Sequence, residues 1–233
     1  MDVPHRPGLE RWLYRQSKRW WRLTGRIPDG VRTGLSVDGR PVFLVHNPKC
    51  AGSSLKRLLG VTARRTTHSW PRDLFRPSVW REGIFVVAVR HPMERFLSSW
   101  HYHCRSGYRG KLVKRHGDLS HLSPLAYFDF IQQYPENCGL QSLWVDYPSA
   151  EKPQCDLVLR TEDSADWPRI LAAYGIHPVL AEAPRLNISR AGGAGQAPDP
   201  GLADGDQAAL RVKVETFYRS DYLRFVYAFA AVN

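Results

Sequence analysis

Lys49, Cys50, Ala51, Gly52, Ser53 and Ser54 follow the apolar run Val42 to Val45 and precede Leu55, Lys56, Arg57, Leu58 and Leu59. A strand, a tight turn and a helix in that order leave unpaired backbone N–H groups at the head of the helix, with the positive end of its dipole aimed outward. Lys49 and two hydroxyls stand at that point, so the segment reads as a socket for a phosphate or sulfate. It departs from the Walker loop, in which lysine directly follows glycine, because Lys49 precedes Gly52 by three positions. The competing reading is a plain strand-to-helix turn, with Ser53 or Ser54 as helix cap and Gly52 supplying backbone freedom.

A second constellation lies at residues 84 to 100. The run Ile84 to Val89 is β-branched and aromatic, as a strand buried on both faces requires, and it delivers Arg90 at its end. Pro92 suits the first position of a helix. Along that helix Arg95, Ser98 and Ser99 fall at spacings of three and four, so Arg90 and Ser98 can converge on one anion, with Arg95 and Ser99 in support. Each motif alone has an ordinary explanation, a capped turn or a salt-bridged arginine. Both together, in this order and at this separation, argue against two independent coincidences.

The two motifs resemble those of sulfotransferases that use 3′-phosphoadenosine 5′-phosphosulfate. Lys49 to Ser54 is similar to the family's 5′-phosphosulfate loop, and Arg90 to Trp100 to its 3′-phosphate motif. The likeness is to the carbohydrate, membrane-type branch (sulfotransferase family 2) and its bacterial relatives. Looser likeness extends to Gln141-Ser142-Leu143-Trp144, to Cys155–Glu162, to Asn187 with Ser189 and Arg190, and to the Tyr-x-x-Asp-Tyr core of Phe217 to Phe225, so that it spans roughly 40 to 228. Ser53 stands where the family usually has Thr, and His91 where it usually has Asp.

The resemblance implies an α/β, three-layer P-loop-like fold with a mainly parallel central sheet flanked by helices. It implies a sulfuryl group moving from that donor to a hydroxyl of an acceptor, a carbohydrate first, with no metal needed. Cys50, Ala51, Gly52, Ser53 and Ser54 would then hold the 5′-phosphosulfate, and Arg90 and Ser98 the 3′-phosphate. Charge builds up on the departing phosphate, and Lys49 is placed to neutralise it. A histidine suits the role of base toward the acceptor hydroxyl near neutral pH. His68 is the first candidate by its place after the loop and helix; His101, His103, Glu82 and Glu94 are its rivals. Trp100 reads as core, and Arg160 with Glu162 as acceptor lining or a simple ion pair.

The elements that must position these groups follow from pattern. A helix is expected over 53–60, a strand over 84–90 and a helix over 92–106. Gly107 to Ser123 reads as a basic loop, Pro124 starts another helix, a strand covers 156–161, a helix runs from about Asp166 to Tyr174 before Gly175, and a last helix spans about 206–229. Alternating strands and helices place ligands at the carboxyl ends of the strands, where Lys49 and Arg90 both fall. Residues 191 to 206, with five Gly and two Pro, read as a mobile loop.

Composition bounds the rest. At 233 residues and 43% apolar content the chain fits one domain over 40–233, preceded by a basic amphipathic segment over 1–30. In residues 5 to 26, seven Arg or Lys meet one acid and are interleaved with Trp12, Trp20 and Trp21, which suits an anionic membrane surface, an acidic glycan or ordinary packing across the domain. The net charge of +11 favours anionic partners, and nucleic acid is the less favoured of them. Four dispersed cysteines without a Cys-x-x-Cys pair argue against zinc, and Cys50 inside the loop favours a reducing compartment. With no signal-peptide core or membrane span in the sequence, a bacterial cytoplasmic enzyme is expected, and a luminal domain lacking its anchor is the alternative. Two other functional classes stand beside the sulfotransferase: a nucleotide-dependent kinase with a divergent anion loop, and a non-enzymatic module that binds heparin-like glycans or nucleic acid through residues 5 to 26 and 105 to 116.

Overall fold

The computed structural model describes Thr24 and residues 27–63, 67–133, 138–184 and 204–228. The basic segment 5–26, apart from Thr24, and Asn187, Ser189, Arg190 and the glycine-rich stretch to 203 lie outside the described residues.

A four-stranded open sheet forms the centre, in the order β1 (Arg32–Val37), β2 (Arg40–Val45), β3 (Ile84–Val89), β4 (Leu157–Arg160). The strands β2, β3 and β4 run parallel, and β1 is antiparallel to β2. The hairpin joining β1 to β2 turns on Asp38 and Gly39, both at positive φ. Asp-Gly at both central positions is the sequence that a two-residue hairpin of matching twist prefers. Residues of β2 and β3 alternate strictly between two apolar clusters. Phe43, Val45, Phe85, Val87 and Val89 face one side, while Val42, Leu44, Ile84, Val86 and Ala88 face the other. That alternation requires helices on both faces, and it explains why β3 is apolar at every position.

On one side α1 (Gly52–Leu58) contributes Leu55 and Leu58, and α8 (Trp167–Ala173) contributes Trp167 and Leu171. The other side receives α3 (Pro77–Glu82) through Trp80, α4 (Pro92–His103) through Phe96 and Leu97, and α6 (Pro124–Gln132) through Tyr127, Phe128 and Ile131. The short α2 (Pro71–Leu74), α5 (Lys111–His116) and α7 (Ser142–Val145) lie between these, and α9 (Asp204–Phe217) and α10 (Arg219–Arg224) close the chain. Among the described residues no helix is long and apolar enough to cross a membrane.

Two elements differ from expectation. The segment read as a basic loop over 107–123 contains α5, whose basic last turn ends on Gly117 at φ 81°. The expected final helix is two helices, interrupted at Tyr218, whose hydroxyl donates to the Cys138 carbonyl. The interruption aims Asp221 inward, where it is fully buried.

Candidate functional site

The loop 46–51 leaves the carboxyl end of β2 and enters α1. Two of its residues carry side chains in the left-handed region: Lys49 at φ 66° and Ala51 at φ 50°. Left-handed conformations at residues with a Cβ cost roughly 1–2 kcal/mol each, so the surroundings must hold them. Left-handed residues interspersed in a turn direct successive N–H groups into one concavity, the backbone form of an anion nest. The helix cap is Ala51 itself, without a side-chain hydrogen bond, so neither Ser53 nor Ser54 caps α1. The Ser54 N–H bonds the Ala51 carbonyl at 2.9 Å, while those of Gly52 and Ser53 have no carbonyl within the helix to reach.

What holds the strained loop is Arg95. Its guanidinium is buried and donates to the Pro48 carbonyl at 3.0 Å, the Gly139 carbonyl at 2.7 Å and Asn47 Oδ1 at 3.3 Å. The wheel pattern that grouped Arg95 with Ser98 and Ser99 therefore divides. Arg95 and Ser99 face the interior, Ser99 bonding the Tyr127 hydroxyl at 2.9 Å, and Ser98 stays half-buried. Trp100 is half-buried and packs on the core, its indole donating to the Leu122 carbonyl at 2.9 Å.

Gly52 is explained by His46. A Cβ on Gly52 would lie 2.0 Å from His46 Cδ2, inside the ring's own volume. The His46 imidazole in turn meets the His68 ring edge-on at 4.4 Å. Burial, and then the neighbouring His68 and Lys56, lower the His46 pKa to about 3, so His46 is neutral. His68 approaches the His46 carbonyl with Nδ1 at 3.4 Å, and the Trp144 indole donates to the His68 carbonyl at 2.9 Å. The structure thus brings His68 against the loop 46–51. Of its rivals, His103 is buried with Nδ1 2.7 Å from the Tyr127 hydroxyl, and its pKa falls to about 3 through burial and the charge of Lys49. Glu94 pairs with Arg90 at 3.3 Å. Exposed Glu82 lies at the far end of β3.

Lys49 is half-buried, with its ammonium 4.2 Å from the centroid of the Tyr102 ring. Its pKa falls from 10.5 to about 8, through burial first and then the positive charges of Arg90 and Arg105. Arg105 lies over the same Tyr102 ring, 4.8 Å from its centroid. Lys49, Arg90 and Arg105 thus bring their positive charges close enough to act on one another, with the Glu94 carboxylate beside Arg90. Tyr102 and Arg105 were not singled out from sequence. Their one signal was position just beyond the second motif, Tyr102 in the last turn of α4 and Arg105 past its end.

Cys50 is fully buried, and its Sγ lies 3.2 Å from Gln141 Oε1. Burial pushes the thiol up to about 12, so it serves the loop's packing. All four cysteines are buried and free.

The Arg90 backbone is held at both ends by Gln141, whose Oε1 accepts its N–H at 2.9 Å and whose Nε2 donates to its carbonyl at 2.7 Å. His91, in place of the expected acid, packs its ring against Tyr222 and Tyr227, and its N–H donates to Glu162 Oε1 at 2.7 Å. Arg160 pairs with Asp163 at 3.6 Å, so Arg160 and Glu162 are not partners of each other. Comparison of the chain with protein-family models, curated proteins and solved structures finds no match.

Proposed function

We propose that this protein transfers a sulfuryl group from 3′-phosphoadenosine 5′-phosphosulfate to a hydroxyl, with a carbohydrate as the first acceptor class to test. The observation that carries this reading is the meeting of Lys49 and Arg90. They leave the carboxyl ends of the adjacent parallel strands β2 and β3, close enough that the charge of Arg90 helps to lower the Lys49 pKa. The helix-flanked sheet is compatible with the three-layer, P-loop-like arrangement that the two motifs imply.

In the proposed step, the acceptor oxygen attacks sulfur as the bond to the bridging oxygen breaks, and the electron pair leaves on the 5′-phosphate. Lys49 and the N–H groups of the loop, with the Ser53 and Ser54 hydroxyls, take up that charge. Arg90 and Ser98 grip the 3′-phosphate. The acceptor's proton passes to His68. A carbonyl can only accept, so His68 Nδ1 facing the His46 carbonyl carries the hydrogen, which leaves Nε2 as the basic atom.

Calorimetry with 3′-phosphoadenosine 5′-phosphate tests the reading. Wild type is expected to bind, with Lys49→Ala and Arg90→Ala each binding at least tenfold more weakly. Removal of a charge-stabilising donor lowers turnover by about two to three orders of magnitude, the drop expected for Lys49→Ala in transfer assays. A wild-type protein that binds heparin yet shows no affinity for the nucleotide would overturn it in favour of a polyanion-binding module.

A further inference from the structure

The two anion half-sites come from separate stretches of chain, and one buried side chain touches both. Gln141 is fully buried. Its Oε1 accepts from Asn47 Nδ2 at 3.3 Å, lies 3.2 Å from the Cys50 thiol and accepts the Arg90 N–H at 2.9 Å. Its Nε2 donates to the Arg90 carbonyl at 2.7 Å. Asn47 and Cys50 belong to the loop that presents Lys49, whereas Arg90 is the other half-site. The amide of Gln141 is therefore the fastener between them. Asn47 adds a parallel tie, donating to the Ala88 carbonyl of β3 at 3.1 Å.

Gln141 is itself fixed from the far end of the chain. Its backbone N–H donates to Asp221 Oδ2 at 2.7 Å, and the Ser142 N–H reaches Asp221 Oδ1 at 3.4 Å. Asp221 is fully buried and sits on α10, beyond the break at Tyr218. Burying a carboxylate is costly unless its oxygens are bonded, and these two N–H groups supply those bonds. The break in the final helix thus has a purpose that hydrophobic packing alone does not supply.

We infer that Gln141 is a positioning residue that sets the register between the Lys49 half-site and the Arg90 half-site, with Asp221 holding it in place. The inference rests on the proposed donor site. It predicts a particular failure when the fastener is removed: each half-site keeps its own groups and its own phosphate affinity, but a ligand bridging both no longer gains from doing so.

The test compares three probes by calorimetry: adenosine 5′-phosphate, adenosine 3′-phosphate and 3′-phosphoadenosine 5′-phosphate. For wild type the bisphosphate is expected to bind at least a hundredfold more tightly than either monophosphate. In Gln141→Met, which keeps side-chain volume and removes the amide, that advantage is expected to fall by at least tenfold while both monophosphate affinities stay within threefold. Asp221→Asn touches neither half-site and is expected to give a smaller loss of the same kind. It also keeps the question open to measurement should Gln141→Met fold poorly. Variants that melt at lower temperature yet keep the full bisphosphate advantage would overturn the positioning role and leave Gln141 a plain structural residue. A wild type that prefers no nucleotide phosphate would instead overturn the donor site, and the register role with it.

Discussion

At the scale of single residues, Lys49 has the most to lose and gain from a bound anion. Its pKa near 8 reflects burial and the press of Arg90 and Arg105. A phosphate or sulfate would favour the ammonium and raise that pKa in the complex. Binding is then linked to proton uptake. Nucleotide affinity should be level well below pH 8 and fall as pH rises through about 8, by up to about tenfold per pH unit until the pKa of the complex is reached. Calorimetry at pH 8.5 in two buffers of different ionisation enthalpy would show the proton uptake directly, and Lys49→Arg should abolish it, since an arginine stays charged throughout. A flat profile in the wild type would mean that Lys49 does not meet the anion.

At the scale of elements, the junction of β2 and α1 is where packing and chemistry depend on one another. Gly52 leaves room for His46, and His46 is the surface on which His68 rests. Gly52→Ala would force the ring away, with an expected loss of about 1–3 kcal/mol in chemical denaturation. The same substitution should also lower turnover more than it weakens nucleotide binding, because it unseats His68 while leaving Lys49 and Arg90 in place. Much of this junction was legible in the residues. The apolar runs marked β2 and β3, Pro92 and Pro124 marked helix starts, and Lys49 and Arg90 stood at strand ends where ligands gather. Other parts were not legible because their causes are distant in sequence. Arg95 matched a surface pattern by spacing, yet its partners at Pro48 and Gly139 drew it into the interior. The end of α9 at Tyr218 carries neither glycine nor proline; a contact to Cys138, 80 positions away, fixes it. Asp38-Gly39 at the first hairpin and Gly117 at the end of α5 carry local turn chemistry that was not read from the sequence, where charge made 107–123 look like a loop.

At the scale of the whole molecule, a net charge of +11 creates a field that favours the approach of an anionic nucleotide. Stopped-flow association with a fluorescent analogue of 3′-phosphoadenosine 5′-phosphate should slow markedly as salt rises, with dissociation changing less; equal sensitivity of both rates would speak against steering. The same molecule must also carry the left-handed backbone at Lys49 and Ala51. Folded domains are stable by only about 5–15 kcal/mol, so two such residues take a visible share of the margin. If the loop grips the proposed donor, selection for hardiness and selection for that grip press on the same few positions in opposite directions. Variants of this loop chosen only for a higher melting temperature would tend to relax the very curvature that points its N–H groups inward, and a sturdier protein would be obtained by blunting the site.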